Sequence, residues 1–289
     1  MTVALAGKTI IITGASSGIG AATALECARH GMNIVLNARR ADRLAAVAEQ
    51  VRSLDVKAEV VPGDVTDPNL TGALLHRAQQ AFGGFHAVFS NAGYGFEKSV
   101  VDTTMVEWLQ IFEINFFASV ELIRAAAKHL IERDQPGHLL MCSSCVARIP
   151  LPFPAAYSAS KAAQAQVCSS MQAEMKAHGI AVSSVHPVTT RTEFFEVSHH
   201  YSGKPGDAPD ASDHTPELFI QPPERVARAV VRCLQRPRPE VWTSFITRAT
   251  SAAMVLMPGF GKFIADQQVR IVHDNRQHAE SAPVIEEDD

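Results

Sequence analysis

The chain is expected to fold as an α/β protein with a doubly wound, mostly parallel seven-stranded sheet and helices on both faces. Three features of the sequence lead there. Seven short runs of β-branched and apolar residues recur along it, most of them separated by segments long enough for a crossover helix. The runs are apolar throughout rather than alternating, as in strands covered on both faces. The first run also empties into a glycine-dense turn, TGASSGIG at 13–20, followed by an alanine-rich helical stretch.

KTIIIT (8–13) is the first predicted strand, and 19–30 the first helix. NIVLNA (33–38) follows, then a helix over 42–53 and the strand KAEVVP (57–62). A helix at 68–82 leads to HAVFS (86–90), and the long stretch 103–133 carries the chain to HLLMCS (138–143). The next helix, 155–178, starts just after Pro154, a residue tolerated in a first helical turn. IAVSSV (180–185), a helix over 223–235 and EVWTSF (240–245) complete the series. Between 193 and 222, six Gly and Pro residues among polar neighbours predict a long loop or lid. Residues 246–280 mix apolar and basic side chains and suit a helical extension broken near Pro258. The end, 281–289, is an acidic tail expected to be disordered. No internal repeat is visible.

Composition narrows the function. The 289 residues are 46% hydrophobic and 19% charged, with a net charge of −4. That balance supplies no drive toward nucleic acid, and no basic block exceeds the pair Arg39–Arg40. The five cysteines are odd in number and irregularly spaced, and MTVALAGKTIIITG carries no export signal, so free thiols and a cytoplasmic location are expected. The late apolar run SAAMVLMPGFGKFI is broken by Pro258, Gly259 and Gly261, too short to span a bilayer. Resting on a membrane surface is the less favoured use of this stretch, after packing on its own domain or on a sister subunit. Cys142 and Cys145 form a C-x-x-C, but no second pair or thioredoxin-like helix start accompanies it. The histidines show no metal-ligand spacing, so no metal is expected.

The glycine turn carries the first chemical signal. Glycines 14, 18 and 20 let the backbone turn sharply and approach a pyrophosphate, while the next helix offers unpaired N–H groups and the positive end of its dipole. Directly after a first strand, this is the Rossmann-type arrangement for a dinucleotide. A chain preferring NAD usually has an acid at the end of the second strand to hold the ribose 2′-hydroxyl. Here Ala38 stands there, followed by Arg39 and Arg40. A guanidinium suits a 2′-phosphate, so NADP(H) is favoured over NAD(H), with Arg39 the expected contact and Arg40 the beginning of a solvated helix. In YSASKAA (157–163), Tyr157 and Lys161 stand i,i+4 on one helical face, a spacing that many surface helices share.

Together TGASSGIG, GDVTD (63–67), SNAG (90–93), INFF (114–117), MCSSCVA (141–147), YSASK (157–161) and HPVTTRT (186–192) resemble the short-chain dehydrogenase/reductase family over about residues 5–245. The resemblance implies one dinucleotide-binding and catalytic domain over 1–245, with 193–222 as its substrate loop. It also implies a catalytic set of Asn115, Ser144, Tyr157 and Lys161. Tyr157 would be the general acid/base, its pKa lowered from about 10 by the Lys161 ammonium. Lys161 would also hold the nicotinamide ribose, Ser144 would orient and polarise the substrate oxygen, and Asn115 would link Lys161 to solvent through a water. Cofactor contacts are implied at Gly14, Ser16, Ser17, Gly18, Ile19 and Gly20, and at Arg39, Asp64, Val65, Asn91, Ala92, Gly93, Pro187 and Thr192, besides Tyr157 and Lys161. One departure is Val188, where the family usually has glycine; a β-branched residue does not reach positive φ cheaply, so the loop near the nicotinamide that carries Thr192 is expected to be shaped differently. Phe194, Phe195, Phe219 and Ile220 beside the loop, with Tyr94, Phe96, Ile149 and Phe153 near the strand ends, suit a pocket for an apolar ketone or alcohol as well as they suit packing. A homodimer or homotetramer assembled through helices around 103–130 and 155–178 is the expected assembly. A catalytically silent nucleotide sensor and an epimerase or dehydratase on the same fold are the alternatives.

Overall fold

In the computed structural model, residues 2–149, 151–203 and 220–257 are described, together with Gly259, Lys262 and Asp266. Seven strands form one sheet in the order β3-β2-β1-β4-β5-β6-β7. They are β1 Thr9–Thr13, β2 Asn33–Ala38, β3 Ala58–Pro62, β4 Ala87–Ser90, β5 Gly137–Cys142, β6 Ile180–His186 and β7 Glu240–Trp242. Every neighbouring pair is parallel, so the expected mostly parallel sheet is wholly so.

Alternate residues of a strand face opposite sides, and both sides are covered. Ile10, Ile12, Ile34 and Leu36 pack against α1 (Gly18–Arg29), α2 (Ala41–Arg52) and α8 (Pro223–Gln235). Ile11, Val35, Val88 and Leu139 pack against α3 (Leu70–Phe82), α5 (Ala118–Glu132) and α6 (Ala155–Met175). This two-sided burial is why the strands carry almost no polar alternation.

Several elements depart from the expected outline. The stretch 103–133 is not one helix. A Thr104–Glu107 capping box starts α4 (Met105–Phe112), a π-turn follows at Glu113–Phe117, and α5 continues from it. The predicted loop at 193–222 contains α7 (Phe194–Ser202), while 204–219, including Phe219, lies outside the described residues. The last predicted strand is short because Ser244 accepts a hydrogen bond from Thr247 N–H and starts α9 (Phe245–Leu256). The helical extension is thus seen to 256; Pro258 and the tail 281–289 lie outside the described residues. Among the described residues no helix is long and apolar enough to cross a membrane.

The chain runs outward from β1 through β2 to β3, then returns to β4 on the other side of β1. That reversal opens a crevice beyond the carboxyl ends of β1 and β4, the general ligand position in such sheets. The functional side chains collect there.

Candidate active site

The glycine turn is built by close approach. Gly14 has φ +65, and a Cβ on it would stand 2.9 Å from Ala92 Cα. A Cβ on Gly20 would stand 2.2 Å from the Gly14 carbonyl oxygen, which no side chain can accommodate. Asn91 ties this turn to β4: its Nδ2 donates to the carbonyls of Thr13 and Gly14 at 3.1 and 3.3 Å, and its own N–H donates to Thr13 Oγ1. Ser17 begins α1 with extended backbone but no side-chain cap. Ser17 therefore leaves the first N–H groups of the helix without a side-chain cap, an arrangement that fits a dinucleotide pyrophosphate.

The edge of this turn carries charge. Arg40 donates to Ser17 Oγ at 2.9 Å and Ser16 Oγ at 3.3 Å, and its other nitrogen donates to Glu193 Oε2 at 2.8 Å. Arg43 also donates to the Glu193 carboxylate. Arg39 extends the other way, 3.8 Å from Asp64 Oδ2. The expectation that Arg40 merely opens a solvated helix is thus corrected, since its side chain folds back onto the glycine turn. Burial works to raise the Glu193 pKa, but the two guanidiniums hold it below the usual carboxylate range. Asp64 is turned inward on its own segment, accepting from Thr66 N–H and Oγ1 at 3.0 and 2.9 Å, and Val65 packs near α3.

The four residues expected to be catalytic converge at the ends of β4 and β5. Asn115 sits in the π-turn and is fully buried. Its amide donates to the Tyr94 carbonyl at 2.9 Å and Ser160 Oγ at 3.0 Å, while its Oδ1 accepts from Tyr94 N–H. A Cβ on Gly93 would meet Asn115 Oδ1 at 2.9 Å and Lys161 Nζ at 3.3 Å, so both groups crowd the same backbone. Lys161 is buried, donates to the Cys142 carbonyl at 2.7 Å, and places its nitrogen 5.7 Å from the centre of the Tyr157 ring. Ser143, next to the expected serine, binds the backbone of α6 by donating to the Lys161 carbonyl at 2.8 Å. Ser144 follows β5 with extended backbone.

The protonation of this group differs from the sequence-based expectation. Burial pushes the Tyr157 phenol up, with the Ser144 hydrogen bond pulling the other way. Burial also pushes the Lys161 ammonium down. Desolvating both groups disfavours both charged forms, and in the unliganded protein that outweighs the acidifying effect expected of the lysine. The resting phenol is neutral and can donate.

Two glutamines that the sequence did not single out hold the surroundings. Gln164 lies one turn beyond Lys161, fully buried, and donates to the Asn115 backbone carbonyl at 2.5 Å and Ser119 Oγ at 3.0 Å. Gln221, also buried, donates to Thr243 Oγ1 at 2.9 Å and Thr190 Oγ1 at 3.2 Å. It pins the segment after β6, where Val188 is buried and its N–H donates to Thr243 Oγ1. Val188 is outside the positive-φ region, so the missing glycine costs no strain. Thr192 packs where a Gly18 Cβ would come within 3.0 Å of its methyl group, and its Oγ1 accepts from Phe194 N–H at the start of α7. The Pro187 carbonyl accepts from Cys145 N–H at 3.0 Å, and His186 Nδ1 bonds the Ser144 carbonyl at 3.0 Å. These contacts bring Gly14, Gly18, Asn91, Gly93, Asn115, Lys161 and Thr192 together beyond the strand ends, with Asp64 and Arg39 at the rim.

Its mouth is apolar. The Phe194 ring lies 5.4 Å from that of Tyr157, and Tyr94 lies 4.6 Å from Tyr201 of α7. Tyr94, Phe96 and Ile111 pack there with Val197. Of the other expected pocket residues, Phe195 stacks edge-on against Phe194. The five cysteines are free; burial raises the Cys142 thiol and pushes Cys145 up to about 11, which suits inert thiols rather than a redox pair. Among the described residues no group of His, Cys, Asp and Glu could hold a metal.

Residues 8–201 match the short chain dehydrogenase family. The chain belongs to that family. It is 30% identical over 244 residues to a fruit-fly (Drosophila melanogaster) protein named dehydrogenase/reductase SDR family protein 7-like, covering 83% of this chain and 73% of that one. A short-chain dehydrogenase from Sphingobium yanoikuyae in complex with NADPH superposes with a TM-score of 0.73 at 25% identity, over 98% of both chains. A short chain dehydrogenase/reductase from Burkholderia phymatum in complex with NAD gives a TM-score of 0.77 at 23% identity, over 86% of this chain and 93% of that one; it speaks for the fold alone. Nicotinamide-dependent oxidoreduction of a small molecule is therefore the activity of this family setting.

Proposed function

We propose that the protein is an NADP(H)-dependent oxidoreductase that interconverts an apolar ketone and its alcohol, favouring reduction. The observation that carries this reading is the meeting of Asn115, Ser144, Tyr157 and Lys161 in one crevice beside an uncapped, glycine-opened helix start. When bound, the nicotinamide supplies or accepts the hydride. Every other task falls to the chain. Ser144, held through its carbonyl by His186, orients the substrate oxygen and stabilises the charge that develops on it. Tyr157, kept protonated by burial, gives its proton to that oxygen, because an alkoxide is a far stronger base than a phenolate. Lys161, fixed on the Cys142 carbonyl, steadies the phenolate left behind and is placed to hold a ribose hydroxyl.

The preference for the phosphorylated nucleotide rests on Ala38 in place of an acid, and on Arg39 and Arg40 at the rim of the glycine turn. Substrate apolarity rests on Phe194, Tyr94 and Phe96 around Tyr157. Assembly with a second copy of the chain is supported by the exposed apolar side chains Met105, Val106, Leu109 and Phe117 along α4 and the π-turn.

A panel of ketones of increasing size, followed by NADPH absorbance, tests the activity. Turnover of bulky apolar ketones that disappears in Tyr157→Phe, with nucleotide binding retained, is the expected result. Binding without turnover anywhere in the panel would favour the sensing alternative, and undiminished turnover in Tyr157→Phe would remove the proposed acid.

A further inference from the structure

Glu193 occupies an unusual position. It immediately precedes α7, whose first residue Phe194 packs over the Tyr157 ring at 5.4 Å. Its carboxylate is gripped by Arg40 and Arg43 of the segment after β2. The same Arg40 guanidinium bridges Ser16 and Ser17 of the glycine turn. Two guanidiniums and two hydroxyls thus converge at the end of the turn, the donor set that a phosphate monoester prefers. The anion they hold is the protein's own carboxylate.

We propose that Glu193 is an internal competitor for the 2′-phosphate of NADP(H), and that its displacement loosens α7 over the catalytic tyrosine. The proposal rests on the reading of this crevice as a nicotinamide-nucleotide site. A 2′-phosphate carries about two negative charges against one on the carboxylate, and offers three acceptor oxygens to the fork-shaped donors. NAD(H) ends in a ribose hydroxyl there and has nothing with which to contest the arginines. Because Glu193 and Phe194 are adjacent in the chain, releasing the first removes a tether from the second. The nucleotide carrying the phosphate would then free the entrance to Tyr157, and the other would leave it covered. The glutamate is the specificity-determining residue in this scheme: it lowers affinity for the phosphorylated nucleotide and couples that affinity to access.

The chain is used whole. NADPH and NADH affinities are measured by fluorescence titration for wild type and Glu193→Gln, which keeps the side-chain shape and removes the charge. The variant is expected to bind NADPH about fivefold to tenfold more tightly, with NADH affinity unchanged within about twofold. In parallel, hydrogen exchange over 194–202 is followed in the wild-type protein, so this arm does not depend on the variant folding. NADPH should raise exchange there relative to NADH. Equal effects of the substitution on both nucleotides, or α7 exchange that is the same with either one, would overturn the proposal. A wild-type chain that binds neither nucleotide would instead sink the reading on which it rests.

Discussion

The side-chain amide of Gln164 donates to the backbone carbonyl of Asn115 at 2.5 Å, joining α6 to the π-turn one helical turn beyond Lys161. The orientation of that amide is set by its acceptors, since a flipped Oε1 would face a carbonyl oxygen. Its second proton goes to Ser119, and its own oxygen is buried without a partner among the described residues. The backbone carbonyl of Asn115, the residue that the family resemblance places between Lys161 and solvent, is thus held by a side chain. Gln164→Met keeps the volume and removes the donor. Stranding the carbonyl should lower stability by about 1–3 kcal/mol, and turnover should fall about tenfold with nucleotide affinity nearly constant. A purely structural glutamine would lower the melting temperature and leave the pH profile of kcat in place; a displaced profile is the expected result.

The neutral state of Tyr157 can be titrated directly, because the chain has three tyrosines. Ultraviolet difference titration of wild type against Tyr157→Phe isolates its phenolate. In the free protein the phenol should ionise above the ordinary value of about 10, as burial dictates. Bound NADP+ places a positive charge nearby and should bring the value down. Ionisation near neutral pH without nucleotide would contradict the burial seen here.

Arg39 and Arg40 are not equivalent in space. Arg40 touches the glycine turn, whereas Arg39 points to Asp64. Losing a charge-assisted bond to phosphate costs about 1.5–3 kcal/mol, tenfold or more in affinity. Arg40→Ala should therefore weaken NADPH by at least about tenfold relative to NADH, and Arg39→Ala by less. Calorimetric titration of both variants with both nucleotides decides, and the reverse ranking would return the phosphate contact to Arg39.

Acid should destabilise the fold through two histidines at the amino ends of β4 and β5. Burial pushes His138 down to about 3 and His86 down to about 4 from 6.5. Both bind protons more weakly folded than unfolded, so their contribution is complete above pH of about 6.5 and is lost as pH falls toward the folded values. Each group contributes a slope of at most about 1.4 kcal/mol per pH unit within that window. Chemical denaturation at several pH values should show stability falling below pH of about 6 in wild type, and less steeply in His138→Asn. Parallel slopes would show that His138 is not the group responsible.

Strand placement was legible because both faces of the sheet are covered, so each strand announces itself as an apolar run such as TIIIT or HLLMC. The glycine turn was legible for a related reason: contacts of 2.2 and 2.9 Å leave no room for a side chain at Gly20 and Gly14. Gln164 and Gln221 gave no signal. A polar residue at a buried position cannot be told from an exposed one until its partners, 49 and 22 residues away, are in place. The helix within 193–222 was hidden by the surrounding prolines and glycines, and it depends on Thr192 receiving the Phe194 N–H.

Local patterning by itself determined the parallel sheet and the glycine turn after β1, through hydrophobic periodicity and short-range spacing that belong to the chain before it folds. Asn115, Ser144, Tyr157 and Lys161 were singled out by the resemblance of several motifs, in their order along the chain, to one family. The charge states of Tyr157 and Lys161, the turn of Arg40 onto Ser16 and Ser17, and the grip on Glu193 were decided only in three dimensions. Desolvation and long-range ion pairing depend on which distant segments exclude water together, and no local stretch of sequence encodes that.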